Sequence, residues 1–164
     1  MFATKSLQRQ VGVLIVLGAM GATLALPGWA DAQVPYDVIA SGRGESALAP
    51  TTATLRVVRS ESEFYALWHT ALGRNVASAP DADFRNHIVI AYFLGGRPTS
   101  GYYLEAERVE IRSGTMTVNL VEFFPGACCG AGLTATMPEI WISTIPWKGP
   151  AEVEMRREPH SCCR

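Results

Sequence analysis

Two long alternating runs stand back to back in this chain. "YYLEAERVEIRS" (102–113) and "GTMTVNLVEFF" (114–124) both place apolar residues at every second position, with the tight turn "RSGT" between them. Period two is the spacing of a strand with one buried face, and a two-residue turn fixes the pair as an antiparallel hairpin. In the first run the apolar phase slips between Ala106 and Val109, which predicts a β-bulge. A chain committed to such a hairpin needs a further layer to cover its apolar face.

The rest of the chain supplies that layer. "TTATLRVVRS" (51–60) is β-branched and reads as a strand. "HIVIAYFLGG" (87–96) is apolar on both alternations, as a central strand covered on both faces would be. "MPEIWISTI" (137–145) and "AEVEMRRE" (151–158), joined by "PWKGP", read as two more strands, and Tyr36–Ala40 as a short one. Only one segment has helical spacing. In "SESEFYALWHTAL", Ser60 and Glu63 form a capping box, and Phe64, Leu67, Trp68, Ala71 and Leu72 recur on one face up to Gly73. His69 falls beside that stripe, as a rim residue. The expected class is α+β: a mainly antiparallel sheet of five or six strands with the helix packed on a face.

The start of the chain reads as a targeting segment. Lys5 and Arg9 precede an uncharged run, "VGVLIVLGAMGATLAL" (11–26), which ends at "PGWADAQ" with Ala30 and Ala32 at the spacing of a cleavage site. The run is shorter than the roughly 20 residues a spanning helix requires. The expectation is a signal peptide over 1–32, cleaved after Ala32, and a secreted or periplasmic mature protein. Residues 33–50 then form an N-terminal leader or loop, 51–158 one domain, and 159–164 a C-terminal tail. Without Lys5, Arg9 and Asp31 the 14 basic and 15 acidic residues fall to 12 and 14, a net charge of −2. No basic stripe is present, so neither nucleic acid nor a membrane surface is an expected partner.

Export gives the cysteines a meaning. All four stand as adjacent pairs, Cys128–Cys129 in "FFPGACCGAG" and Cys162–Cys163 in "PHSCCR". An oxidising compartment pairs cysteines, and four allow three connectivities. Joining neighbours makes a strained ring, because adjacent Cα atoms are about 3.8 Å apart, below the usual disulfide separation. The other two connectivities both tie the glycine loop to the tail, and the register between them stays open. Each bond closes a loop of about 35 residues, worth roughly 3–4 kcal/mol, the second adding less. The rival is a metal: His160 precedes "SCC" and thiolates suit copper(I) or zinc. Structural zinc sites use spaced pairs, which turn both sulfurs to one ion, and adjacent cysteines do that poorly. No metal and no cofactor is expected.

"GGRPTSGYYL" (95–104) is the most informative stretch for function. Gly95 and Gly96 open backbone angles closed to other residues, Pro98 stiffens the turn, and Arg97 is displayed from it. The candidate partner-binding residues are Arg97, Pro98, Thr99, Ser100, Gly101 and Tyr102, since arginine and aromatic side chains anchor protein contacts. The plainer reading is a tight β-turn whose Arg97 pairs with Asp83 or a neighbouring acid.

With "SEFYALW" at 62–68, "DF" at Asp83–Phe84, "HIVIAYFLG" at 87–95 and this "R-P-T-x-G-Y" loop, the order and spacing over residues 53–158 resemble the C-terminal domain of the PrcB family of protease-complex subunits. Ser100 stands where that family often has glycine, and the cysteine doublets are no part of the pattern. The resemblance implies an exported accessory domain that associates with or stabilises a protease, without catalytic residues of its own. The loop is also similar to the "N-P-T-T-G-Y" loop of chagasin-type cysteine-protease inhibitors, with Arg97 and Ser100 replacing the asparagine and the second threonine, although the helix at 61–72 does not suit an all-β sandwich.

Other classes stay in view. Ser100 lacks a nucleophile elbow, and the three histidines, His69, His87 and His160, are scattered. A Ser100–His87 pair would need geometry to bring it together. A structural envelope protein or small-ligand carrier would use the small-residued loop 123–138, with Phe123, Phe124 and Trp141 lining a pocket or, more plainly, filling core.

Overall fold

The computed structural model describes residues 31–43, 49–73, 78–130 and 132–161. The expected signal peptide, except for Asp31 and Ala32, lies outside them, as do Cys162 and Cys163. No helix among the described residues is long and apolar enough to cross a membrane.

Eight strands and one helix follow in chain order: β1 Ala32–Val34, β2 Tyr36–Gly42, β3 Thr54–Val58, α1 Glu61–Leu72, β4 Ile88–Phe93, β5 Tyr103–Arg112, β6 Thr115–Pro125, β7 Glu139–Thr144 and β8 Ala151–His160. The class is α+β. The single sheet of five or six strands is corrected to two sheets of four, in the orders β1-β5-β6-β8 and β2-β7-β4-β3. The expected leader over 33–50 contributes to both, because β1 edges the first sheet and β2 the second. Two further residues, Pro159 and His160, belong to β8 rather than to a tail.

The sheets face each other. Ile88, Ile90, Tyr92, Ile140 and Ile142 of the second sheet interlock with Val109, Ile111, Met116, Val118 and Leu120 of the first. Strand alternation sends Val89, Ala91, Phe93 and Trp141 to the opposite face of the second sheet, where α1 covers them with Phe64, Trp68, Ala71 and Leu72. That double cover explains why all six residues of β4 are buried. Ser60 Oγ accepts a hydrogen bond from Glu63 N, and Gly73 closes the helix in a left-handed conformation, φ 60°. Glu63 reaches back to Arg59 N at 2.9 Å, one residue before the cap.

The hairpin forms as its pattern dictates. Ser113 and Gly114 make the turn at φ 47° and 81°, and the β5–β6 register shifts between Ala106 and Arg108. One pairing departs from the antiparallel rule: β8 lies parallel to β6 along its whole length, from Met116–Ala151 to Pro125–His160. The chain reaches that position by crossing to the other sheet through β7, which supplies the long connection a parallel pair requires.

Candidate functional site

One end of the sandwich gathers the segments that the sequence singled out. Here β4 leaves, β5 begins, β6 ends and β8 finishes. The segment 95–102 lies against the connection between β6 and β7. Arg97 and Thr136 exchange both backbone hydrogen bonds, at 2.7 and 3.0 Å. Ser100 N donates to Gly132 O at 3.0 Å, Gly132 N returns a bond to Ser100 Oγ at 2.8 Å, and Thr136 Oγ1 donates to Thr99 O at 3.1 Å. Gly96 N adds a bond to Thr51 O. Two surface loops thus become one hydrogen-bonded platform.

Two glycines make the close approach possible. Gly95 sits at φ 81°, and a Cβ there would meet Thr51 O at 2.8 Å; Gly101 sits at φ 97°, with Pro125 Cγ 2.9 Å from where a Cβ would be. The position of Ser100 needs no such freedom. Among the described residues Ser113 is the only non-glycine at positive φ, and the Ser100 hydroxyl is spent on Gly132.

Arg97 is half-buried, and its guanidinium is engaged within the protein. Its Nε donates to Glu122 Oε1 at 2.9 Å, Nη1 lies near the Leu94 and Gly96 carbonyls, and the guanidinium rests 5.9 Å from the centre of the Tyr102 ring. Glu122 is itself buried, its side chain 4% exposed, and it also takes Arg157 Nε at 3.1 Å. Of the two partners the plainer reading offered, Asp83 or a neighbouring acid, Arg97 takes the second: Glu122, which with Arg157 completes an Arg97–Glu122–Arg157 triad. Asp83 instead organises the turn before β4, accepting from Arg85 N at 3.0 Å and Asn86 Nδ2 at 2.8 Å. The Asn86 amide and then the Arg85 N–H hold its carboxyl below the usual range. Beside the triad, burial pushes the Tyr92 phenol up, and Glu122 adds to that while Arg97 opposes it.

What the platform leaves exposed is mostly apolar, with Thr134 the one polar side chain among its exposed described residues. Gly96 and Pro98 are exposed, and Leu133 stands 93% exposed one residue beyond Gly132. Thr99, Ser100 and Tyr102 are half-buried. Neither Cys128 nor Cys129 is a free thiol. Cys129 Sγ lies 3.2 Å from His160 O, and Gly126 N donates to the same oxygen at 3.1 Å. The glycine loop therefore meets the chain two residues before the second doublet, whose own atoms lie outside the described residues.

Other sequence candidates are scattered. His87 directly precedes β4 and Ser100 lies beyond its far end, so a six-residue strand, about 20 Å, separates them. His69 is exposed on α1. Trp141 is fully buried under α1, Phe123 stacks on Tyr103 at 4.7 Å between ring centres, and Phe124 lies under Arg157. Among the described residues no group of three or more histidine, cysteine, aspartate or glutamate side chains is placed to hold a metal ion.

Glu122, Arg157 and Leu133 did not emerge from the sequence reading. For the first two a signal exists. Met116, Val118 and Leu120 set the inward phase of β6, and Glu122 falls on it; Ala151, Val153 and Met155 set that of β8, and Arg157 falls on it. Opposite charges on the inward phase of two strands ask for a buried pair. Leu133, in a run of small residues, carries no periodic signal.

No family model, no curated protein and no solved structure matches this chain.

Proposed function

We propose that this protein is an exported, non-enzymatic protein-binding domain that serves a protease as an accessory or stabilising subunit, and that it docks through the platform formed by 96–102 and 132–136. The observation that carries the docking is Leu133, 93% exposed on a loop fastened to Ser100 at both backbone and side chain. Covering a leucine of that exposure is worth about 1.5–3 kcal/mol. A loop already fixed by its neighbours loses little further freedom on binding. Pro98 and Thr99 extend the same surface. Arg97 serves it from below, by holding the loop to Glu122.

The protease assignment rests on the "R-P-T-x-G-Y" loop and its place after the central strand. Export rests on the N-terminal pattern. In this reading the doublets join Cys128 and Cys129 to Cys162 and Cys163, and the meeting of Cys129 with His160 O supports it.

The test uses mature wild type, Leu133→Asp and Arg97→Ala as baits on an envelope extract, with protease assays on what each retains. Wild type should hold a protease, and Leu133→Asp, with an unchanged melting temperature, should lose it by about tenfold or more. Arg97→Ala should melt earlier yet still bind while folded. Equal retention by wild type and Leu133→Asp would refute docking at the platform. A captured protease that wild type inactivates would replace the accessory role with inhibition.

A further inference from the structure

Beside the platform a cleft of about 480 Å³ opens between the ends of β2, β5 and β8, with Arg43, Tyr103, Leu104, Glu105 and His160 among its walls. A smaller one of about 230 Å³ shares Arg43, Tyr103 and His160 and reaches Gly101 and Cys129. The shared side chains are a cation, a phenol and an imidazole. Arg43 is exposed, and its guanidinium has neither a hydrogen bond nor an ion pair among the described residues. In contrast, Arg97, Arg108, Arg112, Arg156 and Arg157 are all matched to glutamates. Tyr103 is held in place: its ring stacks on Phe123, and its hydroxyl lies 3.3 Å from His160 Nδ1. Burial, with Glu105, pushes the phenol up, so it remains an O–H donor at neutral pH.

The cleft also runs along an open sheet edge. β1 pairs with β5 only at Val109, Glu110 and Ile111, so on that side Tyr103–Ala106 has no partner strand among the described residues. One acceptor there is taken, since Tyr36 Oη donates to Ala106 O at 3.2 Å. The ladder stops at Tyr103, because Gly101 turns the chain away at φ 97°. Arg43 stands where it stops.

We infer that this cleft takes the C-terminal carboxylate of an extended peptide from a protein partner. The peptide's last three or four residues add to the free edge of β5, running the same way as β1, and its carboxylate meets Arg43 and the Tyr103 hydroxyl. Unpaired backbone on an edge strand gives such a peptide main-chain hydrogen bonds. Charge selects the end group. Arg43 offers a single positive charge, opposed by Glu105 on the same wall, so it can meet a carboxylate through paired hydrogen bonds and is a poor match for a dianionic phosphate. Position selects the C-terminus over an acidic side chain, because the chain that reaches Arg43 has no ladder left to follow.

This site deepens the platform reading, on which it rests for a protein partner, yet the two are separable. The probe is acetyl-Thr-Val-Thr-Val with a free carboxylate, titrated into the mature protein and followed by backbone amide NMR shifts. The comparisons are the same peptide as its C-terminal amide, acetyl-Thr-Val-Asp-Val amide, and inorganic phosphate. The free acid should move the amides of Tyr103–Glu105 saturably, and the plain amide should bind at least about tenfold more weakly. Arg43→Gln should cost the free acid a similar factor while Arg43→Lys retains part of the affinity; neither change touches a packed group. Equal binding of acid and amide, shifts confined elsewhere, or no binding would overturn the inference. Tighter binding of the aspartyl amide or of phosphate would overturn the choice of end group. Leu133→Asp should leave the titration unchanged. Loss of partner capture in Leu133→Asp without any peptide binding sinks this site alone. Peptide binding with undiminished capture sinks the platform alone.

Discussion

Glu122 decides what Arg97 is for. A carboxylate 4% exposed is paired with two guanidiniums, so removing one leaves a poorly compensated buried ion. Arg157 remains after Arg97→Ala, and Arg97 is itself a quarter exposed, so the loss should be about 2 kcal/mol rather than the full cost of a broken buried pair. Thermal melting should show it as a fall of roughly 6–10 °C. An unchanged midpoint would mean that the triad does not hold the loop. Asp83 and Glu110 give a second test at this scale. Hydrogen bonds from Asn86 and Arg85 lower the first, and the Arg108 hydrogen bond, with Asn119 and Arg112, lowers the second. Groups lowered on folding stabilise fully above their unfolded values and lose that contribution as pH falls through the lowered native values. The melting temperature should therefore hold to about pH 5 and fall below about pH 4. Asp83→Asn should melt lower at neutral pH and fall less steeply in acid; an identical acid slope would contradict the assignment. From sequence alone, Arg97 was legible as a residue with a task. Its partner was not, because nothing in a one-dimensional pattern says which acid the β5–β6–β8 register brings beneath it.

The elements were more legible than their partners. α1 runs between its cap and its glycine because Ser60, Glu63 and Gly73 satisfy the end groups locally, and local chemistry can be read locally. The hairpin and its bulge were legible for the same reason. β1 was not, since three residues carry no periodicity and pair only because β5 offers an edge. Nor was the parallel β6–β8 pair, whose cause lies in β7 crossing to the other sheet. The loop 95–101 is the element on which the platform depends, and Gly101 tests it. Any side chain there meets both a positive φ and the Pro125 ring, so Gly101→Ala should cost about 2 kcal/mol or more and loosen the Ser100–Gly132 bonds. Amide hydrogen exchange at Ser100 and Gly132 reads the change directly. Protection equal to wild type would show that the loop is fixed by something else.

At the scale of the molecule, a helix, a sheet and a second sheet stack around two cores, and β4, β5, β6 and β8 meet at the end where the loops join. The charged outer side of β8, with Glu152, Glu154 and Arg156, discourages edge pairing there. The described end of β8 is fastened through Gly126 to the glycine loop. If the doublets pair across this junction, intact mass should fall by about four hydrogens from the reduced value, and reduction should lower stability by roughly 3–4 kcal/mol. A reduced protein that melts where the oxidised one does would count against the staple. The layered class was legible in the strand periods and the single helix. The division into two sheets was not, because alternation says that a strand has an inner face without saying which sheet it joins.

The most direct test of the central claim is a photo-crosslinking side chain placed at Leu133 in the cells that make the protein, with the same group at Val38 as comparison. Both positions are exposed apolar sites, Leu133 at 93% on the platform and Val38 at 45% on β2. Docking at the platform predicts a discrete protein adduct from position 133 and none from 38. An adduct from 38 alone, equal adducts from both, or none from either would contradict it.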